Sequence, residues 1–266
     1  VRIARFTTAD EPLYGVVSGD LDEHGELDPD AVVTVFKGDP LYVGYEPTDQ
    51  QLRLADVRLL APVIPRSKVV AIGKNYAAHA AEMGGEVPEE PLMFLKPNTS
   101  VVGPGDPVFY PRQSQEVHYE GELAVVISRI CRDVPAERAS DVIMGYTVAN
   151  DVTARDLQRK DVQFTRAKGF DSFCPLGPWI ETDLDPSDLR VQTYLNGDLK
   201  QDGTTRDLVF DVPTLVAHVT SVMTLLPGDV ILTGTPDGVG PMEVGDEVDV
   251  VVSGIGTLTN KVVSRD

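Results

Sequence analysis

Glu120 and Glu122 stand two positions apart in Val117-His118-Tyr119-Glu120-Gly121-Glu122-Leu123-Ala124-Val125-Val126-Ile127, a run that reads as one β-strand. Side chains alternate along a strand, so His118, Glu120 and Glu122 are expected on one face and Tyr119, Leu123, Val125 and Ile127 on the other. Two carboxylates so placed are about 7 Å apart at Cα. On a strand entering a valine-rich core their repulsion calls for a positive charge, and a hard, oxygen-seeking ion such as Mg2+ or Mn2+ supplies it. A bare Glu-x-Glu pair also reads as a solvated polar face on an edge strand and decides nothing alone. Asp151 ends the next strand-like run, Gly145 to Asn150. It would complete a three-oxygen set with open positions for substrate and water, or serve as an ordinary cap.

Two further segments carry reactive groups. In Gly73-Lys74-Asn75-Tyr76-Ala77-Ala78-His79-Ala80-Ala81-Glu82-Met83-Gly84, a short helix after a strand makes His79 and Glu82 i,i+3 neighbours. A carboxylate beside an imidazole raises its basicity and fixes its tautomer, as a general base requires, although a surface His–Glu pair has the same spacing. Lys168 lies in a Gly/Pro-rich, aromatic segment, Ala167 to Trp179, where a purely solvating role is less natural than elsewhere. Gly234-Thr235-Pro236-Asp237-Gly238-Val239-Gly240 lacks the Lys-Ser/Thr ending of a phosphate loop and the strand–helix setting of a dinucleotide fingerprint, so it is read as a shaped backbone loop. No Gly-x-Ser-x-Gly or His-Glu-x-x-His occurs, which leaves serine-hydrolase and zincin readings without support.

The elements that must position these groups are mostly strands. Runs of five to eight residues rich in Val, Ile and Thr, bounded by Gly, Pro or Asp, recur from Lys68 to Val263. Helical period is confined to Tyr76–Met83, Ala136–Val142 and Val212–Leu225, the last with Val212, Leu215, Val216, Val219, Val222 and Met223 on one stripe. The fold class is therefore α+β and β-dominated. The proline-bracketed Leu59-Leu60-Ala61-Pro62-Val63-Ile64-Pro65 sets an expected boundary between a small N-terminal domain, 1–65, and a larger domain, 66–266, that carries all of these groups.

The 266 residues carry 23 Lys+Arg against 42 Asp+Glu, a net charge of −19 with His neutral. That field argues against nucleic acid or an anionic membrane as partner. It also repels a small anion at long range, so a site for one must bring its own local cations. Cys131 and Cys174, 43 positions apart, fit buried thiols. Arg2, Arg5, Asp10, Glu11 and Asp20 interrupt the first twenty residues, and no stretch approaches the roughly 18 apolar residues of a membrane span. The expected location is the cytoplasm.

Taken in order, GKNYAAHAAEMG (73–84), FLKPNTSVVGPGDP (94–107), HYEGELAVVI (118–127), GYTVANDVTARDLQ (145–158), AKGFDSFCPLGPWI (167–180) and LLPGDVILTGTPDGVGP (225–241) resemble the fumarylacetoacetate hydrolase family. The resemblance covers about residues 66–266. It implies a mixed β-roll, a homodimer, and a divalent ion, Mg2+ or Mn2+, on Glu120, Glu122 and Asp151. It also implies catalytic roles for His79, Glu82 and Lys168, and substrate contacts at Lys74, Tyr76, Gln158 and Thr235. Lys74 stands where many members have arginine, replacing a bidentate fork by a point charge. The implied activity is metal-dependent cleavage of the C3–C4 bond of a small anionic 2-oxo acid through an enolate, as in oxaloacetate decarboxylation or acylpyruvate hydrolysis. Isomerisation or decarboxylation of a homoprotocatechuate-pathway dienoate is the alternative within enzymes, and a non-catalytic metal-binding scaffold the alternative outside them.

Overall fold

The strand Gly121–Ile127 is buried at every position. Its side chains alternate between two cores, with Leu123, Val125 and Ile127 in one and Ala124 and Val126 in the other. A strand covered on both faces can be apolar throughout, which is why Leu-Ala-Val-Val-Ile is accommodated here. The structure, a computed structural model, describes residues 1–9, 11–22, 27, 28 and 30–265.

Among the described residues this strand sits inside a 12-stranded sheet. One neighbour is Ile143–Asn150, antiparallel; the other is Val230–Leu232, antiparallel, which in turn runs parallel to Val69–Gly73. Leu92–Lys96 closes that edge. On the far side Ile143–Asn150 pairs with Cys174–Glu181, and Arg2–Thr7 joins there through Arg2↔Glu181 and Ile3↔Ile180. The strands of residues 1–60 thus extend the large sheet. A five-stranded sheet, including Arg190–Leu195, Asp198–Thr204 and Glu247–Val252, packs against the central strands. Both parallel and antiparallel pairs occur, and the architecture is the β-dominated α+β fold expected. No helix among the described residues is long and apolar enough to cross a membrane.

Where the sequence reads one continuous strand from Val117 to Ile127, the structure has two, Val117–Tyr119 and Gly121–Ile127, broken at Glu120. Side chains rather than a neighbouring strand take the amides there: Glu120 N–H donates to Asn150 Oδ1 at 2.9 Å, and Gly121 N–H to Gln201 Oε1 at 2.9 Å. His118 Nε2 lies 3.2 Å from Glu116. Across the break Tyr119, Leu123, Val125 and Ile127 still share one core, as the alternation predicts, and of the other three Glu120 and Glu122 line the cleft described below.

The helices are short. Ala77–Glu82 follows Tyr76, and the 136–142 segment is a 3-10 helix. Val212–Val222 is capped by Asp211, whose carboxylate accepts the Thr214 amide at 2.9 Å, and it buries Val212, Leu215, Val216 and Val219. Val222 lies at the margin of that stripe and is exposed, so the helix stops short of Leu225. Arg155–Asp161 and Thr165–Lys168 are also helical, outside the three segments to which the sequence confines helical period. Both cysteines are free and buried.

Candidate active site

Glu120, Glu122 and Asp151 converge, each offering an oxygen within 4.8 Å of the others, and all three are buried. The strand break places Glu120, the central strand carries Glu122, and Asp151 immediately follows the adjacent strand Ile143–Asn150. Three cations answer them. Lys168 Nζ lies 2.7 Å from Glu120 Oε2 and 2.6 Å from Asp151 Oδ2. Arg155 Nη2 donates to Glu120 Oε1, and Lys96 Nζ to Asp151 Oδ1. Glu122 differs: its Oε2 accepts the Gly234 amide at 2.7 Å, and no described lysine or arginine pairs with it.

The charge states follow. Burial would raise the Glu120 carboxyl, but Lys168 and Arg155 hold it well below the usual carboxylate range. Glu122 is pushed well above that range, first by burial and then by the Asp151 and Glu120 charges. Lys168 is raised, because Asp151 and Glu120 outweigh the burial that opposes its charge. Hard oxygen donors in a tight cluster, one without a cationic partner, fit a divalent ion such as Mg2+ or Mn2+.

The cluster forms one wall of a cleft of about 200 Å³. His79, Lys74, Gln158 and Thr235 line it, with Phe94 and Phe164 among its apolar sides. His79 Nδ1 is 3.4 Å from Glu82 Oε2, longer than a normal hydrogen bond, and Glu82 also accepts the Gly238 amide at 3.2 Å on each oxygen. Lys74 adopts a left-handed φ of 57° and has no ion-pair partner among the described residues. Gln158 Oε1 accepts from Arg155 Nη1 at 2.8 Å, and Thr235 Oγ1 donates to Gly121 O at 2.9 Å. Tyr76 does not line the cleft. It is 3% exposed, its hydroxyl is raised by burial and by Glu122, and its backbone bridges to Leu208. The shaped loop 234–240 proves to be an amide donor to both Glu122 and Glu82.

Sequence reasoning missed Lys96 and Arg155. Lys96 interrupts Leu92-Met93-Phe94-Leu95 and is 1% exposed, and Arg155 opens the helix after Asp151 and is 2% exposed. A lone lysine closing an apolar strand was the available signal for the first.

Residues 68–263 match the family model described as fumarylacetoacetate (FAA) hydrolase C-terminal, and residues 1–62 match the one described as Rv2993c-like, N-terminal. The chain belongs to the fumarylacetoacetate hydrolase family. Members of that family are enzymes, among them hydrolases, isomerases and oxaloacetate tautomerases. A solved structure of 5-carboxymethyl-2-hydroxymuconate delta-isomerase from Mycobacterium smegmatis is 52% identical, with a TM-score of 0.91 and 100% of both chains covered. Oxaloacetate tautomerase YisK of Bacillus subtilis is 42% identical over 223 residues, 79% of this chain and 74% of that protein. A maleylpyruvate hydrolase from Sphingobium, solved in complex with manganese(II) and pyruvate, is 33% identical, with a TM-score of 0.79 and 100% of both chains covered.

Proposed function

We propose that this family member is a divalent-metal-dependent enzyme of small 2-oxo acids that moves a proton at C3, with keto–enol interconversion of oxaloacetate as its first reaction. The observation that carries the reading is that His79, with Glu82 3.4 Å from its Nδ1, lines one small cleft together with Glu120, Glu122 and Asp151. Two of the relatives above are named for proton shifts, an isomerase and an oxaloacetate tautomerase.

A divalent ion held by Glu120, Glu122 and Asp151 would supply Lewis acidity toward the carboxylate and 2-oxo group of the substrate. The chain's own residues do the rest. Glu82, 3.4 Å from Nδ1, would fix the tautomer protonated there as that contact shortens to a hydrogen bond, which would leave Nε2 as the atom that takes and returns the C3 proton. Lys168, ionised and 3% exposed, places a fixed positive charge where negative charge develops on the enolate. Lys74 offers its ammonium to a second carboxylate, and Phe94 and Phe164 limit water. These are the local cations that a chain of net charge −19 needs for an anionic substrate.

A second reading is C3–C4 cleavage, by decarboxylation of oxaloacetate or hydrolysis of an acylpyruvate. It is favoured by the relative named maleylpyruvate hydrolase, whose complex holds pyruvate. Hydrolysis adds one requirement, a water deprotonated by His79. The test follows the ultraviolet absorbance of enol-oxaloacetate with Mg2+ or Mn2+ while pyruvate is measured in the same tube, and repeats it with acetylpyruvate, fumarylpyruvate and the dienoate. Chelator-sensitive loss of enol without pyruvate supports proton transfer; pyruvate in step with substrate loss supports cleavage; no metal-dependent turnover of any of these rejects both. Light scattering on the same preparation tests the homodimer that we propose from the family resemblance.

A further inference from the structure

The loop at 233–238 touches both halves of the cleft. Gly234 donates its amide to Glu122 at 2.7 Å, and Gly238 donates its own to Glu82 at 3.2 Å. A short span of backbone thus ties a member of the acidic cluster to the partner of His79. Gly234 and Gly238 have φ of 104° and 91°, conformations that favour glycine and do not themselves hold a chain rigid. Something else must hold the loop.

Two fully buried amide side chains do so. Asn75 Nδ2 donates to Thr233 O at 2.7 Å and Phe210 O at 3.0 Å, and its Oδ1 accepts the Phe210 amide at 2.8 Å. Gln201, on Asp198–Thr204, donates from Nε2 to Thr235 Oγ1 and to Pro236 O, each at 2.8 Å. Its Oε1 accepts from Gly121 N–H at 2.9 Å and from Thr193 Oγ1 at 2.7 Å. Both N–H groups and both lone pairs of the Gln201 amide are used. Gly121 N–H can only donate and Pro236 O only accept, so the amide has one possible orientation. Gly121 lies between Glu120 and Glu122, yet Gln201 does not line the cleft.

We propose that Gln201 is a positioning residue: it locks the backbone between the two glutamates to the 233–238 loop, and so sets the acidic cluster against the His79–Glu82 pair. The proposal rests on Glu120, Glu122 and Asp151 being a metal site. Residues that orient metal ligands from behind typically contribute about 10–100-fold in metal affinity. A side chain that merely satisfied buried polar groups would affect stability alone.

The experiment titrates Mn2+ by electron paramagnetic resonance into the full-length wild type, Gln201→Met, Gln201→Glu and, as a control, Val191→Ala. Val191 is a fully buried apolar residue in the strand beside Gln201, so its truncation loosens the same hairpin and leaves the loop bonds intact. Gln201→Met should weaken Mn2+ binding by about tenfold or more, and Gln201→Glu, which keeps the acceptor bonds and loses both donors, should do likewise. Val191→Ala should lose thermal stability and keep wild-type affinity. Should the methionine variant not fold, the glutamate variant decides. Either Gln201 variant binding Mn2+ as tightly as wild type overturns the proposal, as does a control whose affinity falls in step with its stability. A wild type that binds no Mn2+ overturns the metal-site reading, and the proposal with it.

Discussion

Glu122 accepts the Gly234 amide at 2.7 Å and pairs with no described lysine or arginine, whereas Glu120 meets both Lys168 and Arg155. The two glutamates, two positions apart, should therefore respond differently to neutralisation. Glu122→Gln keeps the acceptor for Gly234 and replaces a carboxyl that burial, Asp151 and Glu120 already push toward its neutral form, so thermal stability without metal should hold while Mn2+ affinity collapses. Glu120→Gln leaves Arg155 without a carboxylate and Lys168 with Asp151 alone, and breaking such a buried pair costs about 3–5 kcal/mol. Thermal unfolding and Mn2+ titration of both variants check this, and equal destabilisation would count against it.

Lys168 touches both Glu120 and Asp151 and lies 5.1 Å from the centre of the Phe94 ring. Lys168→Met removes a positive charge from the cluster, so divalent-ion binding should persist or tighten. Turnover should fall on the order of 10²–10³-fold, the usual cost of losing one preorganised charge contact in a dry site. Wild-type kcat with undiminished metal binding would reduce Lys168 to a counter-ion.

His79 separates the candidate reactions. Proton transfer at C3 and hydrolysis both need a base, worth about 10²–10⁴ in rate, whereas loss of CO2 from oxaloacetate needs none. His79→Ala should depress enol conversion and acylpyruvate hydrolysis far more than any pyruvate release from oxaloacetate. Glu82→Gln should do the same more mildly, since the imidazole loses its orienting charge. Equal losses on every substrate would mean that the pair only shapes the cleft.

The sequence disclosed more of the cleft than of its supports. Glu120, Glu122, Asp151 and the His79–Glu82 spacing are legible because a carboxylate pair in a valine-rich run and an i,i+3 pair are local patterns. The central strand's burial on both faces is likewise visible in Leu-Ala-Val-Val-Ile. The strand break at Glu120 is not, because Asn150 and Gln201 cause it from 30 and 80 positions away. Lys96 and Arg155 escaped for the same reason: each meets its carboxylate only after folding, across 55 and 35 positions. Tyr76 is buried and does not line the cleft, although its hydroxyl feels the Glu122 charge.

Asp229 offers a test of how the cleft is anchored. It is fully buried and accepts from Lys68 Nζ at 2.8 Å, Ser67 Oγ at 2.7 Å and the Leu226 amide at 2.9 Å. It stands where the parallel strands Val69–Gly73 and Val230–Leu232 begin, and the chain runs on from them to Lys74 and Thr235 in the cleft wall. Burial pushes its carboxyl up, but the Lys68, Leu226 and Ser67 bonds prevail and lower it below the ordinary value of 3.8. A carboxyl depressed on folding contributes fully above its unfolded value and loses that contribution as pH falls through the folded one. Asp229→Asn should therefore cost about 2 kcal/mol at neutral pH, the range for hydrogen bonds to a charged group, and the gap to wild type should narrow in acid. Urea unfolding of both proteins across that range measures the gap. A gap independent of pH would assign Asp229 a role in packing rather than charge, and would leave the register of the two strands to their apolar side chains.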